Sequence, residues 1–279
     1  MKKILFAIAL MPLLFVACSS DDDNKDEPGQ DFDYNIELLF GEWRATHIEG
    51  KRAFDLTDPL NELYAAPTYL KFNKDGSLEG EGLFGDGTGR YSANKKSIHT
   101  SIGNTRKSLE VHSLEANTAK VKLNAKDLNT SLITDDEGIV TITFSKNYSR
   151  TPNFTYNIND LYGKWRATTI EGVDDKPIDL TNPIIENFIE PTYVTFEEKG
   201  IYSTEGFLGK GKGRYSTKEK TIYTLIKDKK LERNIKLQVS SLNKETARVV
   251  ISLDELNLGL DDLKDVDKVT VILIKQKDN

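Results

Sequence analysis

Gly41-Glu42-Trp43-Arg44-Ala45-Thr46-His47-Ile48-Glu49-Gly50 returns almost unchanged as Gly163-Lys164-Trp165-Arg166-Ala167-Thr168-Thr169-Ile170-Glu171-Gly172. The two tryptophans, at equivalent places in the two stretches, are the only ones in the chain. Their separation far exceeds the roughly 20 to 50 residues of a solenoid unit, so the repeat marks two whole domains of one kind. A length of 279 residues agrees, being enough for about two domains of roughly 150 residues each. With 38% hydrophobic residues, 29% charged residues and a formal net charge of −6, the chain can bury two modest cores. The acidic balance argues against a nucleic-acid partner, which demands basic surface to neutralise phosphates.

Outward from these stretches the two copies stay parallel. Ile36, Leu38, Leu39 and Phe40 precede the first and Ile158, Leu161 and Tyr162 the second, each as a short helical turn; the tryptophan stretch itself alternates as a strand that Gly50 ends. Next come Asp58-Pro59 and Asn182-Pro183, an N-cap followed by proline at the first helical position, where the missing N–H costs nothing. A short helix is expected after each, over residues 59–65 and 183–190. Leu60, Leu63 and Tyr64 in one, and Ile184, Ile185, Phe188 and Ile189 in the other, form an apolar stripe suited to capping a barrel mouth, and Pro67 and Pro191 end the helices.

From there the period is two. Strands are expected at 42–49, 68–72, 77–84, 87–93, 97–101, 108–114, 119–127 and 139–145, and the second copy repeats the series to 268–275, with hairpin-length connections such as Asn73-Lys74-Asp75-Gly76. Eight short strands in strict order, with one short helix after the first strand, predict a mainly β fold: two tandem eight-stranded antiparallel up-and-down barrels, the closure that removes exposed sheet edges. Alternation then turns Leu70, Phe72 and Tyr91, with Val194, Phe196 and Tyr215, towards the lumen. A barrel of eight strands is just wide enough to hold one small ligand or to be filled by its own side chains, and the pattern leaves both open.

The N-terminus is a separate object. Lys2 and Lys3 precede a mostly apolar run over 4–16, the length of a signal-peptide core and too short for the ~20 residues of a bilayer span. The run ends at Val16-Ala17-Cys18, before Ser19-Ser20-Asp21-Asp22-Asp23. This resembles a bacterial lipobox, with Phe15 where an aliphatic residue is usual. The resemblance implies cleavage before Cys18, diacylation of its sulfur and acylation of its nitrogen, and hence a membrane partner through the lipid anchor. An acidic run after such a cysteine resembles the signal that sends lipoproteins of one Gram-negative group to the outer face of the outer membrane; a plain solvated spacer is the other reading. The expected organisation is a lipoprotein signal peptide at 1–17, a lipidated disordered tether at 18–33, barrel 1 at 34–147, a linker at 148–155 and barrel 2 at 156–279. Cys18 is the only cysteine, so no internal disulfide is available.

Each repeat also resembles the lipocalin-like domain of bacterial lipoproteins. The matching features are Gly41-Glu42-Trp43 and Gly163-Lys164-Trp165, the strands Tyr69-Leu70-Lys71-Phe72 and Tyr193-Val194-Thr195-Phe196 with their glycine turns, and the later Gly-Arg-Tyr-Ser at 89–92 and 213–216. The helix after the first strand departs from transport lipocalins, whose helix follows the last. The resemblance implies that Gly41, Trp43 and Arg44, with Gly163, Trp165 and Arg166, form the closed floor of each barrel, the tryptophan packed near a basic side chain.

Candidate chemistry is sparse. Gly85-Asp86-Gly87-Thr88-Gly89-Arg90 and Gly209-Lys210-Gly211-Lys212-Gly213-Arg214 are followed by a strand, whereas a phosphate loop needs a helix N-terminus there; the glycines are expected to permit a bend, and the arginines an ion pair. His47, His99 and His112 lack metal-ligand spacing and become Thr169, Tyr223 and Ser240 in the second copy. No Ser-His-Asp set appears, and although Glu81 and Glu205 recur, abundance of carboxylates does not define a catalytic pair. The expectation is therefore no enzyme, no metal and no cofactor. The leading functional expectation is a lipid-anchored outer-membrane protein whose barrels bind a small apolar ligand; the alternative is an interaction protein with filled barrels that presents loops to an envelope protein or glycan.

Overall fold

The computed structural model describes residues 29, 31–173, 176–228, 231–256 and 266–277. Cys18, the signal peptide and most of the tether lie outside them. The first domain is an eight-stranded barrel: β1 (Gly41–Glu49), β2 (Tyr69–Phe72), β3 (Ser77–Glu81), β4 (Gly87–Lys95), β5 (Ser97–Ile102), β6 (Thr105–Leu114), β7 (Thr118–Asn124) and β8 (Ile139–Ser145). Each strand pairs antiparallel with its sequence neighbours and β8 closes on β1. The second repeats it with β9 (Gly163–Glu171), β10 (Tyr193–Glu197), β11 (Ile201–Glu205), β12 (Gly211–Glu219), β13 (Thr221–Asp228), β14 (Leu231–Leu242), β15 (Thr246–Ser252) and β16 (Lys268–Lys275), closing β16 on β9. Helices are single turns: α1 (Pro59–Glu62), α2 (Ile158–Leu161) and α3 (Pro183–Glu186). The Asp58 and Asn182 side chains accept the Leu60 and Ile184 N–H groups as the cap chemistry requires.

Alternation holds along β1 only to Ala45. Trp43 and Ala45 point inward, then Ile48, because Thr46 is an extra residue opposite the Thr143–Phe144 step of β8. Its hydroxyl donates to the Thr143 carbonyl at 3.3 Å. Thr168 does the same against Ile272 in barrel 2. Such bulges sharpen local twist and here lie where first and last strands meet.

Two boundaries move. Asp31–Phe32, expected within the tether, pairs parallel with the end of β4, and Asn153–Phe154, expected within the linker, pairs in the same way with the end of β12. Phe32 and Phe154 pack against their barrel cores, which fixes each segment to its barrel. The helices are also shorter than the expected 59–65 and 183–190, and the stripe of the second divides: Ile185 and Ile189 pack against the barrel 2 core, and the other two residues face outward. Ile184 is 68% and Phe188 82% exposed, while Leu83, Phe84, Leu128 and Leu132 belong to the barrel 1 core. Among the described residues no helix is long and apolar enough to cross a membrane.

Candidate functional site

The lumen is the first place a ligand would sit, and its residues fill it. Leu70, Phe72, Tyr91, Val194, Phe196 and Tyr215 are all buried. Phe72 meets Tyr91 edge-on with centroids 5.0 Å apart, and Phe196 meets Tyr215 at 5.1 Å. The Tyr91 and Tyr215 hydroxyls donate to the Asn73 and Glu197 carbonyls at 2.9 and 3.0 Å. Burial pushes the Tyr91 hydroxyl up to about 12 and Tyr215 further in the same direction. Inside barrel 1 lies an apolar void of about 20 Å³ beside Trp43, Phe72 and Phe144, room for about one water molecule. In barrel 2 the place of Leu78 is taken by the larger Tyr202, itself fully buried against Phe196.

The floor is built from a tryptophan and a lysine. The Trp43 indole N–H donates to the Leu39 carbonyl at 2.7 Å, and Lys146 Nζ lies 4.4 Å from the ring centroid while donating to the Leu38 and Phe40 carbonyls at 2.9 and 2.7 Å. Trp165 repeats this with Leu161 and with Lys275, whose Nζ is 4.9 Å from the ring. Burial pulls Lys146 below its ordinary value. Gly41 and Gly163 take φ of +108° and +118°, and a Cβ on Gly163 would stand 3.0 Å from Lys275 Cε; the glycine of Gly-x-Trp supplies both the left-handed turn and the space for the lysine. Arg44 and Arg166, expected at this floor, face outward instead, because they are one residue out of phase with the tryptophan. They pair with Glu62 of α1 and Glu186 of α3.

Outside barrel 1, three carboxylates and three cations surround a cleft of about 210 Å³ shared by barrel 1, the linker and Lys199 of barrel 2. Register places them: Glu42 opposite Lys71, Lys71 opposite Glu79, and Tyr69 opposite Glu81, the cross-strand neighbours that interact on one sheet face. Lys71 pairs with Glu79 at 2.8 Å. Arg150 of the linker pairs with Glu42 at 2.5 Å and Glu81 at 3.4 Å and lays its guanidinium 4.1 Å from the centre of the Tyr69 ring. The Arg150 hydrogen bond, opposed by burial and helped by the Tyr148 hydroxyl, holds the Glu42 carboxyl below its ordinary value. In barrel 2 the position of Glu42 is Lys164, which itself covers Tyr193 at 4.3 Å and pairs with Glu205 at 3.6 Å. A single charge reversal in the opening stretch thus decides that barrel 1 takes its cation from the linker. Glu81 and Glu205 are surface partners of these cations.

The barrels dock through α1. The Ser216 hydroxyl donates to the Pro59 carbonyl at 2.5 Å and Arg214 Nε to the Glu62 carbonyl at 3.3 Å. Asn234 donates to the Tyr64 hydroxyl at 3.4 Å, and Lys227 lies 5.1 Å from the Tyr64 ring centre while donating to Ser131 Oγ at 2.8 Å. Leu63 is buried although it belongs to neither barrel core. Arg214, expected in an ion pair, uses its guanidinium chiefly on carbonyls, Lys199 O at 3.3 Å being the second. Of the glycines before it, Gly209 takes the expected bend with φ of +97°, and Gly213 serves the close approach of the neighbouring strand.

Glu62 stands 2.7 Å from Arg44, with Arg214 and Asp58 also near. Burial pushes its carboxyl up to about 7 against the pull of both guanidiniums, and Asp58 adds to the rise. A carboxyl that keeps its proton to higher pH in the folded protein than in the unfolded chain gives stability that is complete below the ordinary carboxylate value and lost as pH rises through about 7. Urea unfolding is therefore expected to show the protein more stable at about pH 6 than at about pH 8, by on the order of 1 kcal/mol, and Glu62→Gln to flatten that difference. An unchanged pH slope in the variant would assign the effect elsewhere.

No protein-family model matches the sequence, and no curated protein does. Among solved structures the chain is similar to a protein of unknown function of the DUF3598 family from Nostoc punctiforme, 13% identical, with 86% of this chain and 97% of that chain covered at a TM-score of 0.25. At that score the likeness carries no argument for fold or function.

Proposed function

We propose that the chain is a lipoprotein of the cell envelope, related to lipocalin-like domains and held at the outer membrane through Cys18, whose two filled barrels act as a non-catalytic interaction scaffold for an envelope protein or glycan. The observation that carries the scaffold reading over lumen binding is the void of about 20 Å³ in barrel 1, against roughly 300 to 1,000 Å³ for small-molecule sites. The anchor rests on the apolar run, the Val16-Ala17-Cys18 motif and the acidic run behind it.

Native mass spectrometry of the protein purified from its own host tests the scaffold reading: the expected result is empty barrels and a copurifying partner, and a stoichiometric small apolar adduct would reverse it. For the anchor, Cys18→Ala is expected to move the protein from the membrane to the soluble fraction, because stable attachment needs the acyl chains. Continued membrane retention of that variant would refute lipidation.

A further inference from the structure

Both halves of the docking between barrels exist twice in the chain, but the chain uses them once. On the helix side, Pro59, Glu62 and Tyr64 correspond to Pro183, Glu186 and Phe188; on the strand side, Arg214-Tyr215-Ser216 corresponds to Arg90-Tyr91-Ser92. Where α1 meets β12, Ser216 is buried and Arg214 half-buried. The unused halves are open: Pro183, Ile184 and Phe188 are exposed on and just past α3, as are Arg90 and Ser92 on β4. Nevertheless the unused helix is held in the same pose, with the same cap chemistry at Asn182 and the Arg166–Glu186 pair repeating Arg44–Glu62.

One pair of differences between the two halves is compensating, although Leu63 gives way to Asn187 and Lys227 to Gly103. Asn234, which donates to the Tyr64 hydroxyl, sits opposite Leu225, and the matching position opposite Ser101 is the exposed Arg106. Tyr64 has become Phe188, which has no hydroxyl to accept a bond, and Asn234 has become a guanidinium, which is attracted to an aromatic face. A tyrosine–asparagine contact within the chain has its counterpart in a phenylalanine–arginine contact available only between chains. Glu186 and Arg90 likewise bring opposite charges to the same place.

We propose that a second copy of this chain occupies the α3 face: Pro183, Glu186 and Phe188 of one copy dock on Ser92, Arg90 and Arg106 of the next. The contact is head-to-tail, a heterologous interface that closes into a ring or extends as a filament according to its rotation. The proposal deepens the scaffold reading by naming one partner, and rests on it in that the barrels act through their outer surfaces.

Sedimentation velocity of the full chain, purified in detergent from its own host, is expected to show concentration-dependent association. Phe188→Asp disables the helix side and Arg90→Glu the strand side, and each is expected to weaken association by about tenfold or more. Equal mixing of these two variants should restore a dimer and nothing larger, because one retains a working strand and the other a working helix. Ile184→Asp, on the same exposed face, repeats the test without altering Phe188. A wild-type chain that sediments as a monomer throughout, variants that associate as wild type does, or variants that fail to complement would each overturn the proposal. The scaffold reading is decided separately, by the mass of whatever fills the lumen, so either can fail while the other stands.

Discussion

Trp43→Ala is expected to cost barrel 1 about 3 to 5 kcal/mol, the range for truncating a large aromatic side chain in a core. The ring is 1% exposed, and three separate interactions depend on it. Its N–H satisfies the Leu39 carbonyl, its face receives Lys146, and its body seals the end of the barrel next to the small void. Alanine would leave the Leu39 carbonyl unpaired and Lys146 without its ring, at the end where β1 and β8 are tied together. Since each barrel holds one tryptophan, the measurement separates the domains. In Trp43→Ala, fluorescence reports Trp165 and barrel 2 alone, while circular dichroism reports both. The expected result is an early first transition by dichroism with a fluorescence transition little changed. Near-wild-type unfolding of barrel 1 would show that the ring does not close the floor.

Gly89→Ala and Gly213→Ala should be about as damaging, for the opposite reason. A Cβ on Gly89 would lie 1.7 Å from the Ser101 carbonyl oxygen, and one on Gly213 would lie 1.7 Å from that of Leu225. The obstacle is backbone of the neighbouring strand, which cannot swing aside as a side chain does. Relief requires β4 to part from β5, or β12 from β13. Overpacking usually costs ~1 to 3 kcal/mol, occasionally more, and a clash against backbone in a closed sheet belongs at the top, about 3 kcal/mol or more. Gly87→Ala is the control: a Cβ there meets nothing within 4 Å, though its φ of +128° adds some strain. Equal melting temperatures for Gly87→Ala and Gly89→Ala would show that the close approach is not what glycine serves at 89.

Much of the architecture was legible because it rests on periodicity and local chemistry. Alternation located the eight strands of each barrel, cap residues located α1 and α3, and parity assigned Leu70, Phe72 and Tyr91 and their counterparts to the interior. Where reading failed, the missing information was a distance along the chain. Lys146 and Lys275, the cations over the tryptophans, sit at the far end of each repeat, and only the register of β8 on β1 and β16 on β9 brings them back. Arg44 was placed at the floor by resemblance, although its parity already sent it outward.

The docking between barrels was illegible for a different reason. Arg90-Tyr91-Ser92 and Arg214-Tyr215-Ser216 are identical strings, yet one is open and the other covered. Local sequence cannot separate two copies of one surface; what separates them is which one the linker brings against α1. The reversal from Glu42 to Lys164 was in plain view in the opening stretch, and it was the available sign that the linker would be captured by barrel 1.

The floor has a consequence for the order in which the domain comes into being. Lys146 reaches back to the carbonyls of Leu38 and Phe40 and to the ring of Trp43, so its contacts join the last strand of the barrel to the approach of the first. A chain emerging N-terminus first, from a ribosome or a translocation channel, holds seven strands with both outer edges unsatisfied until β8 arrives. The edge-to-edge seam and the lysine clasp then form from adjoining residues, 139–145 and 146, and barrel 1 can be sealed before the first strand of barrel 2 has emerged.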